Sequence, residues 1–110
     1  MHETALAKRI LDAVIARAEG RRVLRVRGTV AEDEALSHES LAFHFAAHAR
    51  GTPVEGASLE LELRHLAARC AACDASFFPE HHMRRCPRCG SFETVLEGEP
   101  GVLVESIDVE

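Results

Sequence analysis

The sequence predicts an α+β fold: two helices and a three-stranded sheet, with a small zinc-ribbon module inserted before the last strand. Three observations carry that prediction. Two segments show an apolar stripe of helical period, three others alternate with a period of two, and all four cysteines fall between the second and third alternating segments. The last alternating segment closes the chain, and a terminal strand is stable only if it pairs. Its simplest partner is the earlier sheet, which makes residues 66–98 an insertion and leaves residues 1–65 plus 99–110 as the other unit.

The first helix spans Thr4 to Glu19. Leu6, Ile10, Val14 and Ala18 recur every fourth residue, and Leu11 and Ile15 widen the stripe. Gly20 offers a left-handed C-terminal cap, and Arg17 suits the negative end of the helix dipole. From Arg22 to Val30 the period becomes two, with Leu24, Val26 and Val30 on one face and Arg25, Arg27 and Thr29 on the other. The acidic run Glu32-Asp33-Glu34 then breaks the pattern and is expected to be solvated.

Ser37 is a suitable N-cap for a second helix running to Ala49, with Leu41, Phe45 and Ala49 facing the core. Gly51, Pro53 and Gly56 mark the following connection. Leu59, Leu61 and Leu63 alternate with Glu60, Glu62 and Arg64, so the polar face of that strand should meet water. Val102 to Glu110 is the closing strand, where Ile107 and Val109 alternate with Asp108 and Glu110.

Composition narrows the function classes. Thirteen basic against eighteen acidic residues give a net charge of −5, so no general basic field draws nucleic acid or anionic lipid. Lys8 is the only lysine, which leaves no lysine for a nucleotide-binding P-loop beyond the first helix. No uninterrupted apolar run exceeds four residues, so no segment reads as a membrane span or a secretion signal, and a cytoplasmic address is expected.

Cys70-Ala-Ala-Cys73 and Cys86-Pro-Arg-Cys89 form two CxxC pairs with twelve residues between them. In a reducing compartment such a cluster holds a metal more often than disulfides. Two cysteines three apart reach one ion from a single tight turn, and four complete a tetrahedral shell. Gly90 gives the second turn freedom at positive φ, and Pro87 stiffens it. Phe77, Phe78 and Phe92 are the only phenylalanines of the insert, which is too small for a core of its own, so zinc would supply its folding energy.

Three other readings compete. Thioredoxin-like redox chemistry needs one CxxC opening a helix in a βαβ unit, and a four-thiolate iron site usually serves electron transfer. A zinc-ribbon module for protein or nucleic-acid interaction is the serious rival. Against it, residues 67–97 carry four arginines and four acids, which is no phosphate-binding stripe. Catalytic zinc is disfavoured, because four cysteines leave no position for water.

Met1-His2-Glu3 directly precedes the first helix. A free amine, the His2 amide nitrogen and the His2 imidazole can chelate one ion through fused rings, a planar donor set that suits Ni(II) or Cu(II), and Glu3 could add a fourth donor. Taken alone, a histidine at position two is only part of a chain end. His44 and His48 lie four apart on the second helix, within reach of a shared metal, although such pairs are more often surface histidines. His81-His82 is either a spare ligand pair or ordinary loop polarity, His65 belongs to a strand end, and His38 is uninformative.

Together these features resemble the HypA/HybF family of nickel metallochaperones for [NiFe]-hydrogenase maturation. The carriers are Met1-His2-Glu3 ahead of a helix, Ala49-Arg50-Gly51-Thr52-Pro53, the paired CxxC motifs ending Cys86-Pro-Arg-Cys89-Gly90-Ser91, and the terminal Ser106-Ile107-Asp108-Val109-Glu110. The resemblance implies Ni(II) as cargo, bound through Met1, His2 and Glu3, and structural Zn(II) held by Cys70, Cys73, Cys86 and Cys89. It implies a two-helix, three-stranded nickel domain with the zinc module inserted before the last strand. It further implies a carrier rather than an enzyme, working with a HypB-type GTPase and a hydrogenase large-subunit precursor, or with urease. Nucleic acid and membrane are not among the implied partners, and a homodimer is allowed. Relatives often carry an acidic residue near the start of the second helix that supports the nickel site. That place falls on Ser37 here, so either His38 or Glu39 substitutes or the fourth donor is local.

Overall fold

The computed structural model describes residues 2–110. Its elements run α1 (His2–Ala18), β1 (Val23–Glu32), α2 (His38–Ala49), β2 (Ser58–His65), β3 (Ala68–Cys70), β4 (Ser76–Phe77), β5 (Thr94–Leu96) and β6 (Gly101–Val109). The chain divides into two compact units. One comprises residues 1–30, 36–63 and 102–110, the other residues 31–35 and 64–101.

In the first unit the sheet order is β2-β1-β6, so the closing strand does pair with the earlier sheet and β1 becomes central. The two helices pack on each other, and their stripes share one core with the sheet. Leu6, Ile10 and Val14 of α1 meet Leu41, Phe45 and Ala49 of α2 and Val23, Val26 and Val30 of β1. Leu59, Leu61 and Leu63 from β2 and Val104, Ile107 and Val109 from β6 complete it as half-buried contributors. The opposite face of the sheet is polar. Arg25 reaches Glu60 of β2 at 3.2 Å and Asp108 of β6 at 3.3 Å, and Thr29 donates to Glu105 at 2.8 Å. These exposed pairs fix register more than they add stability.

Local signals explain the ends of the elements. Ser37 caps α2, its Oγ accepting from the Ser40 amide at 3.1 Å. α1 stops at Ala18, where Glu19 and Gly20 both adopt positive φ, and Arg17 donates to the Val104 carbonyl at 2.6 Å. Gly28 sits where two backbones nearly touch, since a Cβ there would lie 2.5 Å from the Leu103 carbonyl oxygen. Gly28→Ala is therefore expected to destabilise the first unit by about 1–3 kcal/mol, read as a lower denaturation midpoint of the zinc-loaded protein.

Four expectations need correction. The helix begins at His2, so His2 and Glu3 lie in its first turn rather than ahead of it. Leu24 is 48% exposed, and Val23 is buried in its place: the alternation slips at the start of β1, where the Val23 amide bonds the Pro53 carbonyl. Ile15 lies at the margin of the stripe and is exposed. The acidic run is not solvated: Glu32 is 7% exposed and Asp33 only 3%.

In the second unit β3 is the centre of a small antiparallel sheet ordered β4-β3-β5. Ala68 pairs with Phe77 on one side and Leu96 on the other, and Cys70 lies opposite Thr94. This unit has little apolar interior, for Phe78, Met83, Phe92 and Val95 are all exposed while Ala68, Cys70 and Cys86 are buried. Among the described residues no helix is long and apolar enough to cross a membrane.

Candidate metal centres

The two CxxC segments fold into matching turns. The Asp74 amide bonds the Cys70 carbonyl, and the Gly90 amide bonds the Cys86 carbonyl, each at 2.8 Å. The Cys70 amide reaches Ala75 and the Cys86 amide reaches Ser91, again at 2.8 Å. Both turns need positive φ four residues after the first cysteine, supplied by Gly90 (80°) and by Asp74 (64°). Sequence reasoning identified the glycine; the aspartate, tolerant of the same conformation, is its counterpart in the other half.

These turns bring all four sulfurs together, within 4.8 Å of one another. Cys70 Sγ lies 3.5 Å from Cys89 Sγ, and Cys73 Sγ lies 3.6 Å from Cys86 Sγ. A tetrahedral ion with bonds of about 2.3 Å requires sulfur separations of about 3.8 Å, so the cluster fits zinc with little adjustment. The Arg88 amide points at Cys86 Sγ at 3.3 Å. Burial raises the Cys86 thiol, but the amides of Cys89 and Arg88 and the neighbouring thiols outweigh it and bring it down to about 6. At Cys73 the Ala75 amide acts downward, and burial with the other three thiols pushes the group up to about 12. Four sulfurs this close can all be thiolates only around a cation.

At the amino terminus, Met1 lies outside the described residues, and His2 contributes its backbone to the start of α1. Glu3 Oε2 accepts from the Ser37 amide at 2.8 Å. A carboxylate thus stands at the N-cap of α2, the place where the resemblance led us to look for an acidic residue and found Ser37. His38 is engaged elsewhere, its Nε2 lying 3.2 Å from the Leu59 carbonyl. His44 Nδ1 meets Thr4 Oγ1 at 3.3 Å, and among the described residues neither His44 nor His48 joins a group of metal donors. His65, at the end of β2, bonds the Pro79 carbonyl at 2.7 Å.

A family model described as hydrogenase/urease nickel incorporation, metallochaperone, hypA matches residues 1–109. The chain belongs to the HypA family. The hydrogenase maturation factor HypA of Chlorobium limicola is 40% identical over 114 residues, covering all of this chain and 97% of that protein. Its counterpart from Chlorobaculum parvum is 34% identical over 113 residues, with both chains covered in full. The solution structure of the nickel metallochaperone HypA from Helicobacter pylori shares the fold, with a TM-score of 0.60 over 97% of this chain and 96% of that one at 16% identity.

A second donor group was missed from the sequence. Asp33 Oδ2 accepts from Arg84 Nε at 2.8 Å, while Oδ1 is in contact with His82 Nδ1. His82 Nε2 lies 3.0 Å from Glu34 Oε2, and Glu32 Oε1 is 4.0 Å from His82 Nδ1. Burial raises the Asp33 carboxyl, but the bonds and charges of Arg84 and His82 outweigh it and hold the group below its ordinary range. Burial lowers the His82 imidazole, and Asp33, Glu34 and Glu32 outweigh that to hold it above its ordinary value. Its one sequence signal was His81-His82 inside the insert.

Proposed function

We propose that the chain is a nickel carrier that binds Ni(II) at its amino terminus and gives it up during [NiFe]-hydrogenase maturation, with urease as a further client class. The Met1 amine, the His2 amide and imidazole, and the Glu3 carboxylate are the donors in this reading. What supports it most is the start of α1 at His2, in a chain whose family match extends over residues 1–109. The first four amides of a helix have no intrahelical acceptor, so the His2 nitrogen is free to exchange its proton for a metal. Amine, amide and imidazole nitrogens form a planar set that favours Ni(II) over ions preferring other geometries. Of the acidic donors considered, Glu3 is the one anchored beside α2, by its bond to the Ser37 amide. A chelate at a chain end releases its ion more readily than a buried cage does.

In the same reading Cys70, Cys73, Cys86 and Cys89 hold zinc, which folds their module and takes no part in chemistry. The nickel domain is residues 1–65 plus 99–110, and the zinc module is residues 66–98. A HypB-type GTPase and the hydrogenase large-subunit precursor are the partners, the cytoplasm the compartment, and a homodimer an allowed form. Untagged, zinc-loaded protein titrated with Ni(II) is expected to bind one equivalent. His2→Ala should lose it while zinc content and the circular dichroism spectrum stay unchanged, and retained affinity in that variant refutes the site.

A further inference from the structure

We infer that Glu32, Asp33 and His82 form another metal site, separate from the cysteine cluster and from the amino terminus, which takes a divalent first-row cation. One oxygen from each carboxylate and one ring nitrogen of His82 lie within 4.8 Å of one another. An ion bonded to each at about 2.0–2.2 Å holds neighbouring donors about 3 Å apart, so its entry replaces the direct contact between Asp33 Oδ1 and His82 Nδ1 and draws Glu32 inward.

The groups around these donors are arranged as metal sites arrange them. An imidazole that ligates through one nitrogen gives its other N–H to a carboxylate, which fixes the tautomer and the ring plane. His82 faces Asp33 and Glu32 with Nδ1 and has Glu34 Oε2 at 3.0 Å from Nε2. Arg84 holds Asp33 by Oδ2 at 2.8 Å, which turns Oδ1 toward His82 Nδ1. The two carboxylates are almost fully buried, whereas the His82 side chain is 37% exposed and provides the way in.

Three carboxylates, on Glu32, Asp33 and Glu34, face His82, an acidic setting that favours a cation. His81 adds a ring at 4.0 Å from Glu34, but it is almost fully exposed. Two carboxylates and one imidazole, with no sulfur, suit Mn(II), Fe(II), Zn(II) or Ni(II) and discriminate against thiophilic ions. The hairpin that presents the ring is itself unusual. His81 and His82 occupy consecutive positive-φ positions (52° and 62°) between Glu80 and Met83, where turn chemistry prefers Asn-Gly.

Mn(II) is the probe, because it favours oxygen and nitrogen donors over thiolates. Titrated into the zinc-loaded full chain carrying His2→Ala, it is expected to bind once per chain, read as loss of the six-line electron paramagnetic resonance signal of the free ion. Electron–nuclear double resonance on the bound ion should show a nitrogen coupling. Asp33→Asn and His82→Gln should each weaken binding by about tenfold or more while zinc content is unchanged. Glu34→Gln, outside the inner shell, should weaken it less. Mn(II) that stays free, binds without nitrogen coupling, or binds His82→Gln equally well overturns the site, and none of these results bears on nickel at the amino terminus.

Discussion

Acetylating the amino terminus of the zinc-loaded protein is expected to reduce Ni(II) binding from one equivalent to none and leave the fold intact. Acetylation takes the lone pair of the amine out of play. That change removes the five-membered ring that anchors the planar set, and the imidazole with Glu3 cannot replace it. The geometry of α1 makes the sensitivity sharp. The His2 amide has no helical acceptor to lose, and Glu3 in the first turn offsets the positive end of the helix dipole that would otherwise oppose a cation. Leu6, Ile10 and Val14 anchor the helix in the core, so modification ahead of them should not alter the thermal midpoint. Equilibrium dialysis with metal analysis reads the result, and undiminished binding after acetylation removes the amine from the site.

Stripping zinc with a chelator is expected to unfold residues 64–101 and spare the unit that contains α1, α2 and the β2-β1-β6 sheet. The reason is where apolar surface goes. Among the described residues of the first unit, thirteen apolar side chains form one buried cluster, enough to hold a small α+β core. In the second, Phe78 and Phe92 are 63% and 70% exposed, and the buried side chains are mainly Ala68, Pro79 and the cysteines Cys70 and Cys86. What remains are contacts that hold shape without driving folding, such as Thr94 Oγ1 on the Arg84 carbonyl at 2.7 Å and Arg85 over the Phe92 ring. A structural zinc contributes about 10–16 kcal/mol apparent in small cysteine-rich peptides, which is more than such a unit can find elsewhere. In a two-dimensional amide spectrum, peaks from residues 64–101 should collapse to random-coil positions after chelation, while those from α1 and α2 persist. A Cys73→Ser protein that retains dispersed peaks throughout the module would count against the metal as its folding agent.

The sequence was most informative where a periodic pattern or a spacing rule is local. Leu41, Phe45 and Ala49 are buried as their helical spacing requires, Ser37 caps α2, and the four cysteines meet because each CxxC turn is nearly autonomous. It failed where partners come from far along the chain. Leu24 satisfies the alternation of β1 yet is exposed, because the Val23 amide is taken by Pro53 thirty residues later. Glu32 and Asp33 read as solvated acids because nothing nearby in sequence neutralises them. Their partners, His82 and Arg84, are about fifty residues away.

The family resemblance supplied the amino-terminal donor set to test; sequence alone determined the element types and the insertion of a cysteine module before the last strand. Each follows from short-range stereochemistry: helical or extended repeat, turn chemistry, and ligands three residues apart. Only the tertiary structure decided that β1 is the central strand, that Glu3 rather than a residue of α2 stands at the Ser37 amide, and that the acidic run is buried against His82. Those outcomes depend on desolvation and charge pairing between distant segments, and a buried charge takes its meaning from the partner that the fold delivers to it.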